Sequence, residues 1–171
     1  SSNNGHGLLL YNQSGIKLNN LTIANLDIYG YNLGGITIGE NDGNSGFSNI
    51  NIEKNNVRHN GSHGIQVFGQ YLENSTPSYS HDKITIRNNI AHTNKGERGV
   101  TNKHTGNGIL VGQSKHVLIA NNKAYNNGGN SRHKSAGPCG IWAWESKDVK
   151  IQLNQSFSNK TGGMTDGCGF N

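Results

Sequence analysis

The stretch 84–94 reads ITIRNNIAHTN, and the stretch 117–127 reads VLIANNKAYNN. In each, a short alternating segment runs into Asn-Asn, followed two residues later by Ala and three residues after that by another Asn. Alternation of apolar and polar residues with a period of two is typical of a β-strand. The shared pattern therefore predicts a strand-based structural unit that occurs more than once in the chain.

The same pattern recurs along the whole chain. When the last apolar residue of each alternating segment is taken as a reference, successive copies are 29, 34, 33 and 32 residues apart. The reference residues are Ile23, Ile52, Ile86, Ile119 and Ile151. A second segment introduced by Gly follows each copy, as in GITI at 35–38 and GILV at 108–111. A unit this small cannot bury its apolar face alone, so we expect the copies to stack around a continuous core.

Composition alone favours a different interpretation, because Gly (25 residues) and Asn (28 residues) make up nearly a third of the 171-residue chain. Such a composition is typical of loop-rich or low-complexity segments. The fixed apolar spacing and the small net charge of +5 argue against disorder. No apolar stretch approaches the length of a membrane span, so we expect no membrane insertion. The dispersed charge gives no polybasic patch, so we do not expect nucleic acid as a partner.

We expect Asn side chains to stack between copies at two positions, three and eight residues after each reference residue. Equivalent residues of neighbouring parallel strands lie about 4.8 Å apart, so each amide can hydrogen-bond to the next one. Asn also tolerates the left-handed conformation that turns a chain at a corner. The predicted ladder residues are Asn55, Asn89, Asn122 and Asn154 at the first position, and Asn60, Asn94, Asn127 and Asn159 at the second.

These features predict an all-β solenoid of about five coils, each of roughly 29–34 residues with three short parallel strands, forming a single domain over residues 1–171. The repeat resembles the right-handed parallel β-helix family, the pectin-lyase-like superfold, over essentially the whole chain. The resemblance implies a fold rather than one activity, because the superfold includes lyases, hydrolases, epimerases, tailspikes and adhesins. Since neither end carries a capping segment, we expect uncapped ends and a segment of a longer protein.

Three long connections precede Gly-led strands of the later coils, at 95–107, 128–139 and 160–168. They leave the same corner of consecutive coils, so we expect them on one side of the solenoid. Loops on a rigid scaffold commonly carry function, although these loops are equally consistent with a solvated surface. The candidate catalytic residues within them are Lys103, His104, Arg132 and His133.

In each Gly-led strand, the residue between the two inward apolar residues and the residue two positions later are expected to point away from the core. This places both Trp residues on one outward face, beside the long loops. Exposed Trp rings give flat platforms for sugar rings, although the preceding loop folding over them is the alternative. The candidate substrate-binding residues are Gln66, Phe68, Arg98, Trp142, Trp144 and Asp166.

Resemblance to the β-helix family implies a groove on one strand face, where a Lys, Arg or His removes a proton next to a uronate carboxylate. We therefore predict a monomeric carbohydrate-active protein, secreted or at the cell surface, that acts on or binds an acidic polysaccharide. A polysaccharide lyase is favoured slightly. No active-site motif of the family is matched residue by residue, so the alternative is a non-catalytic scaffold or an adhesin- or tailspike-like binding module.

Two further features concern cross-links and metals. Cys139 and Cys168 each lie one residue before a strand Gly, so stacking would bring their Cα atoms to about 4.8 Å. A disulfide and a stacked pair of reduced thiols both remain open. The stretch GENDG at 39–43 contains Glu40 and Asp42, which makes calcium a candidate cofactor. The identity of any other metal is not predicted.

Overall fold

The computed structural model describes residues 3–71 and 79–171, which contain sixteen β-strands and no helix. The strands form three parallel sheets. The first sheet consists of β1 (Leu8–Tyr11), β4 (Gly34–Gly39), β7 (His63–Phe68), β10 (Asn107–Gly112), β13 (Cys139–Trp144) and β16 (Cys168–Phe170). The second consists of β2 (Lys17–Ala24), β5 (Gly46–Glu53), β8 (His81–Arg87), β11 (Ser114–Ala120) and β14 (Lys147–Gln152). The third consists of β3 (Asp27–Tyr29), β6 (Asn56–Arg58), β9 (Ile90–His92), β12 (Lys123–Tyr125) and β15 (Gln155–Phe157).

Each of the five full coils contributes one strand to every sheet, and β16 adds a sixth strand to the first sheet, so equivalent residues of successive coils pair directly. In the first sheet, Ile65 pairs with Ile36 on one side and with Ile109 on the other. These Ile side chains are fully buried and belong to one core that runs through the solenoid. The parallel register explains why the apolar spacing of the sequence repeats, because each coil completes the core of its neighbours. The predicted all-β solenoid of about five coils is confirmed.

Two ladders of Asn side chains run along the corners that flank the third sheet. In the first, the Nδ2 atom of Asn55 donates to Asn89 Oδ1, Asn89 donates to Asn122, and Asn122 donates to Asn154, each at 3.0 Å. The second ladder connects Asn60, Asn94, Asn127 and Asn159 in the same way. Each amide also donates to a carbonyl of the preceding coil, as Asn122 does to the Ile86 carbonyl at 2.8 Å.

The expectation that the ladder Asn residues themselves adopt the left-handed conformation is wrong. The residue immediately before each ladder Asn adopts it instead, with φ of 57° at Lys54, 57° at Asn88 and 55° at Leu153. A Lys and a Leu hold this strained position, so Asn is not required for the turn itself. The ladder positions depend on the amide, which satisfies the buried backbone groups of the corner.

Candidate functional site

A groove of about 590 Å³ lies along the outward face of the first sheet. The loop 95–107 forms one wall of the groove with Glu97, Lys103 and His104. The strands of the first sheet, with the turns that precede them, supply the floor. The floor residues are His6, Leu33, Gln66, Leu110, Trp142 and Trp144. The groove therefore combines an apolar and aromatic floor with a polar wall.

The three long loops lie against one another on the side that carries this wall. The Asn130 amide donates to the Lys95 carbonyl at 2.7 Å, which joins the first loop to the second. The Gly162 amide donates to the Ser131 carbonyl at 3.0 Å, which joins the second to the third. The wall is consequently held by backbone hydrogen bonds between coils.

Trp142 forms part of the floor without being an exposed platform. Its side chain is only 9% exposed, and its indole Nε1 donates to Asn107 Oδ1 at 2.9 Å. The His104 ring of the wall lies 5.3 Å from the Trp142 ring between centroids. The prediction of an exposed platform is therefore wrong for Trp142, because His104 and Asn107 of the loop 95–107 pack against its ring. Trp144 remains partly exposed.

Glycines in the first sheet make room for aromatic rings of the following coil. A Cβ atom at Gly39 would lie 2.2 Å from the Phe68 ring, and one at Gly112 would lie 2.6 Å from Trp144 Nε1. Each ring therefore lies against the bare backbone of the preceding coil. The Tyr71 ring lies 5.4 Å from the Trp144 ring, which extends the aromatic surface at the end of the groove.

The wall residue His104 stacks on an imidazole of the second long loop that does not itself line the groove. The rings of His104 and His133 lie 4.3 Å apart at an interplanar angle of 22°. Burial lowers the pKa of His104, and the charge of His133 lowers it further. Within the described part of the chain, the buried Nδ1 atom of His104 finds no hydrogen-bond partner. At neutral pH, His104 is therefore a neutral imidazole that can accept a proton.

The other end of the groove carries a second histidine pair that is linked by a hydroxyl. Thr37 Oγ1 lies 2.6 Å from His6 Nδ1 and 2.7 Å from His63 Nε2. Gly34 separates the two histidines, and a Cβ atom there would lie 1.9 Å from His63 Nε2. The missing side chain of Gly34 thus lets the His63 ring reach Thr37. Burial lowers the pKa of His63 to about 3, and His6 contributes further.

Cys139 and Cys168 form a disulfide, with their Cα atoms 4.5 Å apart. This settles the two alternatives in favour of the cross-link. The bond joins β13 to β16. It also packs against Leu110 and Trp142, so the disulfide supports the floor of the groove from the side of the last coil.

Several predicted site residues lie outside the groove lining. Arg132 and Asp166 are exposed on the second and third loops, and Phe68 lies half-buried beside the floor. Arg98 is exposed and donates through Nε to Asn130 Oδ1 at 3.2 Å. The structure brings together in the groove the predicted residues Gln66, Lys103, His104, Trp142 and Trp144.

The carboxylates of the stretch 39–43 accept hydrogen bonds from the chain around them. Glu40 is buried and accepts bonds from the amides of Asp42 and Gly43 at 2.8 Å and 2.7 Å. Asp42 accepts a bond from the Ser45 hydroxyl, which lowers the pKa of Asp42 to about 2. Over residues 3–71 and 79–171, no group of three or more His, Cys, Asp or Glu side chains could hold a metal ion. The loop thus uses the proposed calcium ligands as hydrogen-bond acceptors.

Sequence reasoning missed the histidine pair and Asn107, although they share one position of the repeat. Asn107 pairs with His63, and His63 pairs with Gly34, always one residue before the strand Gly. Cys139 and Cys168 pair at the same position in later coils. The signal was a position that is equivalent in every coil but holds several residue types, namely His, Gly, Asn and Cys.

Residues 6–170 match the family model described as the right-handed β-helix region. The chain belongs to the right-handed β-helix family. Comparison with curated proteins and with solved structures gave no match. Right-handed β-helices carry many activities, so the family establishes the fold only. The activity has to be argued from the residues of the groove. In the described ranges, no helix has the length and apolarity needed to cross a membrane.

Proposed function

We propose that the groove on the first sheet binds an acidic polysaccharide and that its His104 end cleaves the chain by β-elimination. The observation that carries this proposal is the neutral imidazole of His104, which lies beside Lys103 in a wall above an aromatic floor. Aromatic and apolar floor residues suit the faces of sugar rings, and the Lys103 ammonium suits a carboxylate. Together, the floor residues and Lys103 hold a uronate next to the base, His104.

The reaction follows from these roles. Lys103 neutralises the uronate carboxylate, which makes the proton on the adjacent carbon more acidic. His104 accepts that proton, the bond to the glycosidic oxygen breaks, and a carbon–carbon double bond forms in the ring. The departing oxygen takes the proton back from the protonated His104. No oxidant, reductant or water molecule is consumed.

An assay for the ultraviolet absorbance of unsaturated uronate tests this function. The full chain is incubated with alginate, pectate and glycosaminoglycans, with and without calcium, and absorbance is followed over time. We expect one polymer to give a rising signal, and His104→Ala to lower its rate at least about 100-fold, because a positioned base contributes about that much. His92→Ala, which removes an imidazole from the third sheet, is the matched control and should leave the rate unchanged.

Binding is measured in parallel because the floor also suits a non-catalytic module. Tight binding of a polymer without any unsaturated product would favour the scaffold or adhesin-like alternative over the lyase. If no polymer bound and none gave product, both the lyase and the binding module would be overturned. The disulfide between Cys139 and Cys168 supports a secreted or cell-surface location, since such bonds persist in oxidising compartments.

A further inference from the structure

The hydrogen bonds at the His6 end of the groove fix the position of the ring proton of His6. The Gly34 amide donates to His6 Nδ1 at 3.2 Å. A backbone amide always carries its hydrogen, so Nδ1 is an acceptor and holds no proton of its own. The proton of the neutral ring is therefore on Nε2.

The same reasoning assigns the donor and the acceptor of each of the other hydrogen bonds. Thr37 Oγ1 lies 2.6 Å from the unprotonated Nδ1 of His6, so the Thr37 hydroxyl donates to it. The single hydroxyl hydrogen is then in use, and Thr37 Oγ1 accepts the Nε2 hydrogen of His63 at 2.7 Å. His63 Nδ1 is left as an acceptor for the Ser62 hydroxyl, 3.3 Å away. The donors consequently run in one direction, from Ser62 through His63 and Thr37 to His6.

The chain of contacts is uncharged at neutral pH. Burial lowers the pKa of His6, and it lowers the pKa of His63 to about 3. Protonation of His6 at Nδ1 would also bring the new N–H group into repulsive contact with the N–H group of Gly34. The Nε2–H group of His6 is thus held as a neutral donor, and Ser62 keeps its lone pairs as acceptors. Both residues line the groove.

We propose that this end of the groove is a subsite for the uncharged hydroxyl groups of a sugar, with His6 Nε2–H as donor and Ser62 Oγ as acceptor. A hydroxyl group can both accept and donate, which matches one fixed donor and one fixed acceptor. The neighbouring Leu33 side chain suits the apolar face of the same sugar ring. This subsite rests on the proposed function, because it assumes that a saccharide occupies the groove.

The two ends of the groove then recognise different features of one chain. Lys103 and His104 recognise the charge and the acidic proton of a uronate, whereas His6 and Ser62 recognise neutral hydroxyl groups. The chemical class of the ligand is an oligosaccharide whose uronate lies at the loop end and whose hydroxyl-bearing neighbour lies at the His6 end. Affinity at the His6 end does not depend on a carboxylate.

The first test measures the tautomers in the free chain by nuclear magnetic resonance of the imidazole nitrogens. We expect His6 and His63 both to carry the proton on Nε2 and neither to be charged at neutral pH. Thr37→Val removes the linking hydroxyl, and Thr37→Ser restores it. A proton on His6 Nδ1 would overturn the directed chain of hydrogen bonds, whatever the groove binds.

The second test measures binding of two probes, trigalacturonate and neutral galactotriose. His6→Phe keeps a flat ring but removes the donor, and we expect it to weaken both probes about tenfold, the effect of one good hydrogen bond. His92→Phe is the same substitution on the third sheet and should leave both affinities unchanged. Thr37→Val should weaken binding less than His6→Phe does, and Thr37→Ser should restore it.

The outcomes separate the subsite from the function of the groove. Unchanged trigalacturonate binding in His6→Phe, with chemical shifts that move at Lys103 and His104 alone, would overturn the subsite and leave the proposed function standing. Galactotriose shifts at His6 without any binding of acidic saccharides would support the subsite and overturn the acidic ligand. Absence of any shift at His6 with either probe would also overturn the subsite.

Discussion

The Asn ladders and the row before the strand glycines are both stacked along the solenoid, yet they differ in how they use the repeat. The ladder keeps one residue type from Asn55 to Asn154, and each member up to Asn122 donates to the next one. The other row is not uniform, because it contains His, Gly, Asn and Cys. Its members are His6, Gly34, His63, Asn107, Cys139 and Cys168.

The ladder meets a requirement that all coils share, whereas the outward row meets requirements that differ from coil to coil. Every coil must satisfy the same corner amides, so the ladder repeats the residue that does so. The outward row faces no common requirement, and each contact there is made by a particular pair. Thr37 links the two histidines, Asn107 holds Trp142, and the cysteines form their bond. Variation at one stacked position thus marks the face that carries the groove.

The largest effect is expected from a break in the ladder. Asn122→Leu removes the acceptor of the Asn89 amide group and backbone N–H, and it removes the donor to the Ile86 carbonyl. Each buried group left without a partner costs about 1–3 kcal/mol, so we expect a loss of ~4 kcal/mol in the free energy of unfolding. Urea denaturation measures the loss.

Asn102→Leu is the matched control, because Asn102 is exposed on the loop 95–107. It should change the stability by less than about 0.5 kcal/mol. Hydrogen exchange adds a spatial test, since a ladder defect should weaken the corners of the coils on both sides of Asn122. Equal stability of the two Leu variants would contradict a structural role for the ladder.

The ladder could be predicted from the sequence, whereas the outward face could be predicted only in part. Repetition shows that Asn89 and Asn122 are equivalent, and parallel stacking then places their amides in contact. Contact between His63 and Thr37 depends on the missing side chain at Gly34, which lets the His63 ring reach across one coil. The burial of Trp142 depends on the path of the loop 95–107, whose sequence differs from those of the other two long loops.

Loss of the disulfide between the two cysteines of the outward row is expected to have the next largest effect. The bond closes a loop with a sequence separation of 29 residues, and loop-closure entropy gives about 3–4 kcal/mol for such a loop. Cys168→Ser should therefore lower the free energy of unfolding by about that amount and increase the solvent exposure of Trp142. Urea denaturation followed by Trp fluorescence reports both.

The two variants should also differ in which strands and corners lose protection against hydrogen exchange. Loss of the disulfide should increase hydrogen exchange in β13 and β16 and leave the corner amides of Asn55 and Asn89 protected. The ladder variant should show the reverse distribution. Uniform loss of protection in both variants would show that the two regions are not energetically separate.

Acid should weaken the outward row through His63. The unfolded chain binds a proton at His63 below pH 6.5, whereas the native residue, with a pKa of about 3, stays neutral until far lower pH. Stability is therefore unaffected by His63 above pH 6.5 and falls as the pH decreases from 6.5 towards 3. Each unit of decrease in pH lowers the free energy of unfolding by up to about 1.4 kcal/mol, so the loss reaches roughly 2–3 kcal/mol by pH 4.5.

The comparison of wild type with His63→Asn isolates this contribution. Asn is the residue that the next coil places at the paired position, Asn107, and it does not titrate. The variant should show a shallower decrease in stability between pH 6.5 and pH 4.5, although other buried histidines such as His81 still contribute. Identical slopes for the two proteins would mean that His63 accepts a proton in the native state.

The smallest of these effects tests the space that the row leaves at Gly34. A Cβ atom there would lie 1.9 Å from His63 Nε2, so Gly34→Ala must displace the ring from Thr37. Overpacking of this kind costs about 1–3 kcal/mol. Gly99→Ala is the matched control, since nothing lies within 4 Å of the added atom. If the two variants were equally stable, with the tautomers of His6 and His63 unchanged, the His63 ring could not lie over Gly34. The outward row would then consist of independent residues rather than of pairs that depend on each other across coils.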